Sequence, residues 1–85
     1  MTREEIYLFI DKERARQDDK WGIMPRNNSD MVWLAVLTDE IGECARAILK
    51  TDWDNLKDEI IQVAAVAIAW LEDDENHNNG KYKVG

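Results

Sequence analysis

Residues Asp58–Leu71 read DEIIQVAAVAIAWL, and between Ile60 and Leu71 only Gln62 carries a polar side chain. A helix on the surface of a globular protein keeps one polar face. This segment lacks such a face over about three turns, so we expect it to be a helix covered on most sides. It is too short to span a membrane, which requires about 20 apolar residues. The segment therefore predicts an all-α protein with this helix at its centre.

Length and charge restrict the size of the fold and the kind of partner. The 85 residues form one domain, 1–85, and a domain of this size buries only a modest fraction of its surface. The apolar helix therefore predicts further burial between subunits, in a homodimer or homotetramer built on this helix and on the first helix. The 18 acidic and 11 basic residues give a net charge of −7. This balance argues against a nucleic acid polymer as partner, because a phosphate backbone attracts a basic face.

The start of the chain and its cysteine indicate the compartment. The residues MTREE lack the basic and apolar segments of a signal peptide, so we expect a cytoplasmic protein without a membrane segment. Cys44 is the only cysteine, which excludes an intrachain disulfide. A free cysteine on an apolar helix face is typical of a core position.

Capping residues and apolar spacing predict a small bundle of three helices. Helix 1 covers Thr2 to about Gln17 and starts with a capping box between its first residue and Glu5. Helix 2 covers Asp30–Lys50. Helix 3 covers about Asp52–Asp73, with Thr51 predicted to cap its start. The connection is short, so helices 2 and 3 should form an antiparallel hairpin.

The apolar stripe of helix 2 predicts its inward face. The stripe consists of Leu34, Leu37, Ile41, Cys44 or Ala45, and Ile48, with Trp33 extending it. The charged residues 11–20 of helix 1 are expected to be solvated. The polar tail 74–85 is expected to be loosely held, with His77 solvated and Tyr82 or Val84 docked on the bundle.

The segment 18–29 combines helix breakers with aromatic and cationic side chains. A glycine and a proline interrupt the helical pattern. Two interpretations remain open. Trp21 and Met24 fold back onto the core beneath the loop, as aromatic residues of small domains commonly do. Alternatively, Trp21 lines a substrate pocket in which Lys20 or Arg26 binds an anion.

Two similar acidic segments lie on the predicted hairpin. Helix 2 contains DEIGE and helix 3 contains DEIIQ. A tight antiparallel turn places Glu43 level with Glu59 and Glu40 level with Gln62. We therefore expect three carboxylates and one amide to lie together at the edge of the interface between the two helices.

Carboxylates gathered in this way favour a divalent cation, because they repel one another without one. Carboxylate and amide oxygens suit Mg²⁺, with Mn²⁺ as the other possibility. The two helices contain no histidine, which disfavours a di-iron site. Gly42 costs about 1 kcal/mol relative to alanine inside a helix, which suggests that a neighbouring backbone or a ligand needs the space. The alternative is that these acids belong to a solvated face.

The order Glu40-x-x-Glu43, fifteen intervening residues, then Glu59-x-x-Gln62 resembles the ExxE…ExxD metal-binding signature of the MazG-like all-α nucleoside triphosphate pyrophosphohydrolases. The surrounding segments are similar as well: RQDDKWG at 16–22, LAVLTDEIGECARAIL at 34–49 and IIQVAAVAIAWLE at 60–72.

This resemblance implies a helical dimer or tetramer that converts a (d)NTP to the monophosphate and pyrophosphate. Glu40, Glu43 and Glu59 would be the catalytic, magnesium-binding carboxylates. Gln62 stands where the family has aspartate, and its amide oxygen would be an uncharged fourth ligand. Lys20, Trp21 and Arg26 are the candidates for phosphate and base contacts. Two other possibilities remain open, a nucleotide-binding module without hydrolysis and a purely structural helical oligomer.

Overall fold

The computed structural model describes residues 1–74, which form three α-helices and no strand. Helix α1 is Arg3–Trp21, α2 is Asp30–Leu49 and α3 is Trp53–Asp73. This confirms the all-α class. The predictions for His77, Tyr82 and Val84 lie outside the described residues.

Helix α1 begins where the sequence predicts and ends one turn later. Thr2 Oγ1 accepts a hydrogen bond from Glu5 N (3.2 Å), and Glu5 Oε1 accepts one from Thr2 N (3.0 Å). These two bonds confirm the capping box. The helix passes Gln17 and continues to Trp21, because no helix breaker intervenes. Gly22 then ends it with φ of 96°, which side-chain-bearing residues rarely adopt.

The charged part of α1 is not entirely solvated, contrary to expectation, because it packs on α3. Arg14 and Gln17 are buried. Arg14 donates hydrogen bonds to Glu72 Oε1 of α3 (2.8 Å), Gln17 Oε1 (2.9 Å) and Asp18 Oδ1 (3.0 Å). A buried guanidinium is tolerated when carboxylates and further hydrogen bonds surround it. This network joins α1 to the end of α3.

Helices α2 and α3 pack closely as an antiparallel hairpin, as predicted. Trp70 Nε1 donates to Asp30 Oδ1 (3.0 Å), and Trp33 Nε1 donates to Asp73 Oδ2 (2.8 Å). Both bonds join the start of α2 to the end of α3. The two helices therefore run in opposite directions from their short connection.

The residue that caps the start of α3 differs from the predicted one. The side chain that caps α3 belongs to Asp52, which accepts a hydrogen bond from Asn55 N (3.2 Å). Thr51 has φ of 52° and occupies the left-handed region. The prediction that Thr51 caps α3 is wrong, because an N-cap residue adopts an extended conformation.

The face of α2 that packs on α3 is displaced by one residue from the predicted stripe. The inward line consists of Trp33, Leu37, Glu40, Cys44 and Ala47. Its two ends are nearly inaccessible, with Trp33 4% exposed and Ala47 1% exposed. Leu34, Ile41 and Ile48 are exposed, so the prediction is wrong for them. Helix α2 carries two adjacent apolar lines, and α3 covers only one of them.

Helix α3 is covered on most sides within one chain, as predicted. Val66 and Ala69 are buried and form the core with Trp33. Between residues 60 and 71 the structure leaves only Ile60, Ile68 and Leu71 exposed, and the other nine residues are buried or half-buried. None of the helices in residues 1–74 has the length and apolar character needed to cross a membrane.

Candidate functional site

The loop between α1 and α2 is held by the last residue of α3, Asp73. Its Oδ1 accepts hydrogen bonds from the backbone N–H groups of Arg26 (2.7 Å) and Asn27 (2.9 Å). Its Oδ2 accepts hydrogen bonds from the backbone N–H of Asn28 (2.9 Å) and from Nε1 of Trp33 (2.8 Å). Each carboxylate oxygen thus has two donors, and the loop is fixed to α2 and α3 together.

These hydrogen bonds keep Asp73 ionised inside the fold. Burial opposes ionisation, but the hydrogen bonds from Trp33 and from the backbone of residues 26–28 outweigh it and lower the pKa of Asp73. The middle donor, Asn27, has φ of 59°, in the left-handed region that asparagine tolerates better than most residues. The loop is therefore built around this carboxylate.

Arg26 lies over Trp33 with an unsatisfied donor. Its guanidinium carbon is 5.3 Å from the ring centroid of Trp33, within the range of a cation–π interaction. Its Nε is buried and has no hydrogen-bond partner among residues 1–74. A guanidinium only donates hydrogen bonds. The group that this atom lacks is consequently an acceptor, and an anion matches it best.

A cavity of about 360 Å³ beside Arg26 brings most of the sequence-predicted site residues together. Its lining includes Lys20, Trp21 and Arg26, the predicted substrate contacts. It also includes Glu40 and Gln62, which the sequence assigned to the metal. The rest of the lining consists of Arg16, Gln17, Asn28, Trp33, Val36 and Val66. All three helices and the first loop therefore contribute to one site.

The two interpretations of the first loop each hold for a different residue. Met24 packs against the core around Trp33. Trp21 lines the cavity while remaining 61% exposed, so it does not fold into the core. Lys20 Nζ lies 4.9 Å from the ring centroid of Trp21. An ammonium group and an aromatic ring are thus adjacent at the cavity.

Two of the predicted metal-binding carboxylates meet across the hairpin. The carboxyl groups of Glu40 and Glu59 interact electrostatically with each other. Burial first, and then the charge of Glu59, raises the pKa of Glu40, and the charges of Asp39 and Glu43 act in the same direction. Arg16 of α1 interacts electrostatically with Glu40. Of this electronegative pair, Glu40 lines the cavity.

The other two predicted ligands are engaged elsewhere. Glu43 forms an exposed ion pair with Arg46, which lowers the pKa of Glu43. The side chain of Gln62 interacts with the carboxylate of Glu13 of α1 and contributes to the lowered pKa of Glu13. Within residues 1–74, no group of three or more aspartate, glutamate, cysteine or histidine side chains is arranged to hold a metal ion. The predicted set of four is thus present as one carboxylate pair with two separate neighbours.

Gly42 opens onto the uncovered side of α2. It lines a shallow groove with Leu34 and Thr38 among others. A Cβ atom built at Gly42 would meet only the guanidinium of Arg46, at 3.6 Å, which is an ordinary van der Waals distance. The described part of the chain therefore does not itself need the space that this glycine leaves.

No sequence motif singled out three residues that lie in or next to the candidate site. These residues are Asp73, Arg16 and Glu13. Asp73 carries a weak signal, because it follows Val66 and Ala69 at seven and four positions and shares their inward face. A buried carboxylate on such a face needs several donors. The donors themselves are backbone groups, which have no signature in the sequence.

No protein-family model, curated protein or solved structure matches the chain. The resemblance to the MazG-like enzymes remains a prediction that is carried by the residues quoted above.

Proposed function

We propose that the chain is a metal-dependent nucleoside triphosphate pyrophosphohydrolase that converts a (d)NTP to the (d)NMP and pyrophosphate. The observation that carries this proposal is the cavity in which Arg26 and Lys20 lie with Glu40. A polyphosphate with its divalent cation needs both kinds of group, cationic donors for phosphate oxygens and carboxylates for the metal. The resemblance of residues 14–73 to the MazG-like enzymes, which the sequence motifs carry, supports the same reaction.

The carboxylate pair fits Mg²⁺ or Mn²⁺. Glu40 and Glu59 present hard oxygen ligands, and the raised pKa of Glu40 reflects in part a like charge that a cation would offset. Mg²⁺ is usually bound by one or two carboxylates together with substrate phosphates and water. Glu40 and Glu59 would hold the ion, and Glu43 would join them by exchanging Arg46 for the metal. Bound there, the ion supplies Lewis acidity and neutralises phosphate charge.

The side chains of the cavity have distinct roles in the proposed reaction. Arg26 donates a guanidinium N–H to a phosphate oxygen, and Lys20 adds a second positive charge. Trp21 offers an exposed ring for the base. A water molecule attacks the α-phosphorus, the bond to the bridging oxygen breaks, and pyrophosphate leaves. The proton of the attacking water passes to one of the glutamates of the site, which acts as general base.

A nucleotide-binding module without hydrolysis is the second candidate. Two observations favour it: Glu43 forms an ion pair with Arg46, and Gln62 interacts with Glu13 of α1. In that state two carboxylates alone remain available to a metal. Such a protein would bind the triphosphate through the same cations and release no pyrophosphate.

The proposal includes assembly into a dimer or tetramer and a cytoplasmic location. The uncovered line of α2, with Leu34, Ile41 and Ile48, supports assembly, as do the exposed Ile60 and Leu71 of α3. Small domains commonly complete their burial by association. A structural oligomer without a ligand would share this surface, but it would not need the cavity.

The deciding experiment measures pyrophosphate release from a panel of canonical and modified (d)NTPs with Mg²⁺ or Mn²⁺. We expect turnover of at least one nucleotide and a loss of about 10²-fold or more in Glu40→Gln. Asp58→Asn is the matched control, because Asp58 neighbours Glu59 in sequence and lines a different cavity. Binding of a nucleotide without product would support the second candidate. Absence of both binding and turnover would refute both functions.

A further inference from the structure

Asp73 supports the cavity without touching it. It does not line the cavity, whereas Arg26, Asn28 and Trp33, which it holds, all do. We propose that Asp73 is a positioning residue that holds Arg26 ready to bind a phosphate group of the ligand. This inference rests on one part of the proposed function, namely that the ligand contains a polyphosphate group.

Asp73 reaches Arg26 by two separate routes. Its Oδ1 accepts a hydrogen bond from the backbone N–H of Arg26 at 2.7 Å, which fixes the start of the side chain. Its Oδ2 accepts a hydrogen bond from Nε1 of Trp33 at 2.8 Å, and the ring of Trp33 lies beneath the guanidinium. Both ends of the arginine side chain are therefore set by one carboxylate.

The unsatisfied Nε of Arg26 indicates what the arrangement is for. The atom is buried and has no acceptor among residues 1–74. Arg26 as a whole is half-buried and lines the cavity, so its guanidinium is held ready for an oxygen that enters there. Arg16 and Lys20 line the same cavity, so the acceptor that fits is a multiply charged phosphate.

Only an ionised carboxylate can fill the place of Asp73. Its two oxygens accept four hydrogen bonds and all four partners are N–H donors. An asparagine offers one acceptor oxygen and turns an NH₂ group toward the remaining donors. The substitution Asp73→Asn therefore removes the hydrogen bonds accepted by one of the two oxygens while it preserves the size of the side chain.

The test measures the Kd of inorganic tripolyphosphate by calorimetry on the full chain. Tripolyphosphate carries no base, so the unknown base preference does not enter. We expect Asp73→Asn to raise this Kd about tenfold, the equivalent of one hydrogen bond to a charged group. The neighbouring Asp74→Asn should leave the Kd within about twofold of wild type, because none of the hydrogen bonds described above involves its carboxylate.

A double-mutant cycle separates positioning from a general loss of structure. If Asp73 acts through Arg26, the variant Arg26→Gln should already have lost the phosphate contact. Asp73→Asn should then change the Kd of Arg26→Gln by less than about twofold, so the two changes are not additive. A purely structural role predicts the same tenfold loss in both backgrounds, and that result would overturn the inference.

A second variant covers the case in which Asp73→Asn does not fold. Trp33→Phe removes the indole N–H and keeps an aromatic ring beneath Arg26. We expect it to raise the Kd about threefold, and we expect this effect to vanish in the Arg26→Gln background. An unchanged Kd in Trp33→Phe would count against the second route from Asp73 to Arg26.

Failure of the inference and failure of the proposed function give different results. In one outcome the wild-type chain binds tripolyphosphate through Arg26, Asp73→Asn loses this binding, and no nucleotide is hydrolysed. That outcome supports the role of Asp73 and refutes the hydrolase. Turnover of a nucleotide with unaltered tripolyphosphate binding in Asp73→Asn refutes the role of Asp73 alone. Wild-type chain that does not bind tripolyphosphate overturns the inference.

Discussion

Glu40 of α2 and Glu59 of α3 interact electrostatically across the hairpin, although both are acids. Glu40 lies on the same inward line of α2 as Trp33 and Ala47, which are among the most buried residues of the chain. The packing of the core therefore forces this contact. Two carboxyl groups held together in this way either share a proton or accept a cation.

The first prediction concerns the cation. Millimolar Mg²⁺ or Mn²⁺ should raise the Tm of the wild-type chain, because an ion that binds only the folded form stabilises it by about 1.4 kcal/mol at ten times its Kd. Glu40→Gln should lose most of this increase, and Asp58→Asn should retain it. Scanning calorimetry with and without metal measures the effect. Equal increases in all three proteins would show that the ion binds elsewhere.

The second prediction concerns the same residue without metal. The pKa of Glu40 in the fold lies above its ordinary value of 4.5, so the fold favours the protonated form. The favourable contribution of Glu40 is thus complete below pH 4.5 and is lost as the pH rises through its pKa in the fold. Glu40→Gln should therefore be more stable than wild type at pH 7.

Urea unfolding in a chelating buffer between pH 3.5 and pH 8 tests this second prediction. The difference between Glu40→Gln and wild type should shrink toward zero as the pH falls below the ordinary pKa of glutamate, about 4.3 to 4.5. Asp58→Asn again serves as the control. A variant that is less stable than wild type at pH 7 would contradict the stated origin of the raised pKa.

The parts of the fold that sequence predicts well are those with local physical causes. Thr2 and Glu5 form their capping box because both partners lie within one turn. The hairpin follows from a connection too short for any arrangement other than an antiparallel one. Gly22 interrupts the helical pattern as predicted, because the chain there needs a positive φ, although α1 continues past Gln17 before it reaches this residue.

The parts that sequence does not predict depend on a choice between equivalent partners. Leu34 and Trp33 belong to two adjacent apolar lines of α2, and only packing against α3 decides which line is buried. Glu43 can approach either Glu59 or Arg46, and the cation one turn away on its own helix is the partner that it takes. The position of Asp73 is decided by backbone donors of a distant loop, which no side-chain pattern reveals.

The third prediction concerns the turn between α2 and α3. Thr51 has φ of 52°, where its Cβ costs about 1–2 kcal/mol. Thr51→Gly should raise the free energy of unfolding by about 0.5–1 kcal/mol, since the relief of this strain exceeds the added entropy of glycine in the unfolded chain. Thr51→Ala keeps the Cβ and should bring no gain. Urea unfolding distinguishes the two, and an equal change in both would rule out backbone strain as the cause.

The last prediction compares two arginines of α1 that both pair with acids. The side chain of Arg14 is 8% exposed and joins Glu72 of α3, whereas that of Arg16 is 54% exposed and pairs with Glu13 of its own helix. Arg14→Lys should lower the free energy of unfolding by about 3 kcal/mol, because a buried partner set is broken and an ammonium cannot reproduce the fork of hydrogen bonds.

The exposed pair provides the matched control. Arg16→Lys should change the free energy of unfolding by less than about 1 kcal/mol, as exposed ion pairs do. Both variants keep the charge, so any difference between them reports geometry and burial. Urea unfolding at pH 7 measures both values. If the two substitutions cost the same, the network around Arg14 does not hold α1 against α3, and the position of Gln17 and Lys20 at the cavity needs another cause.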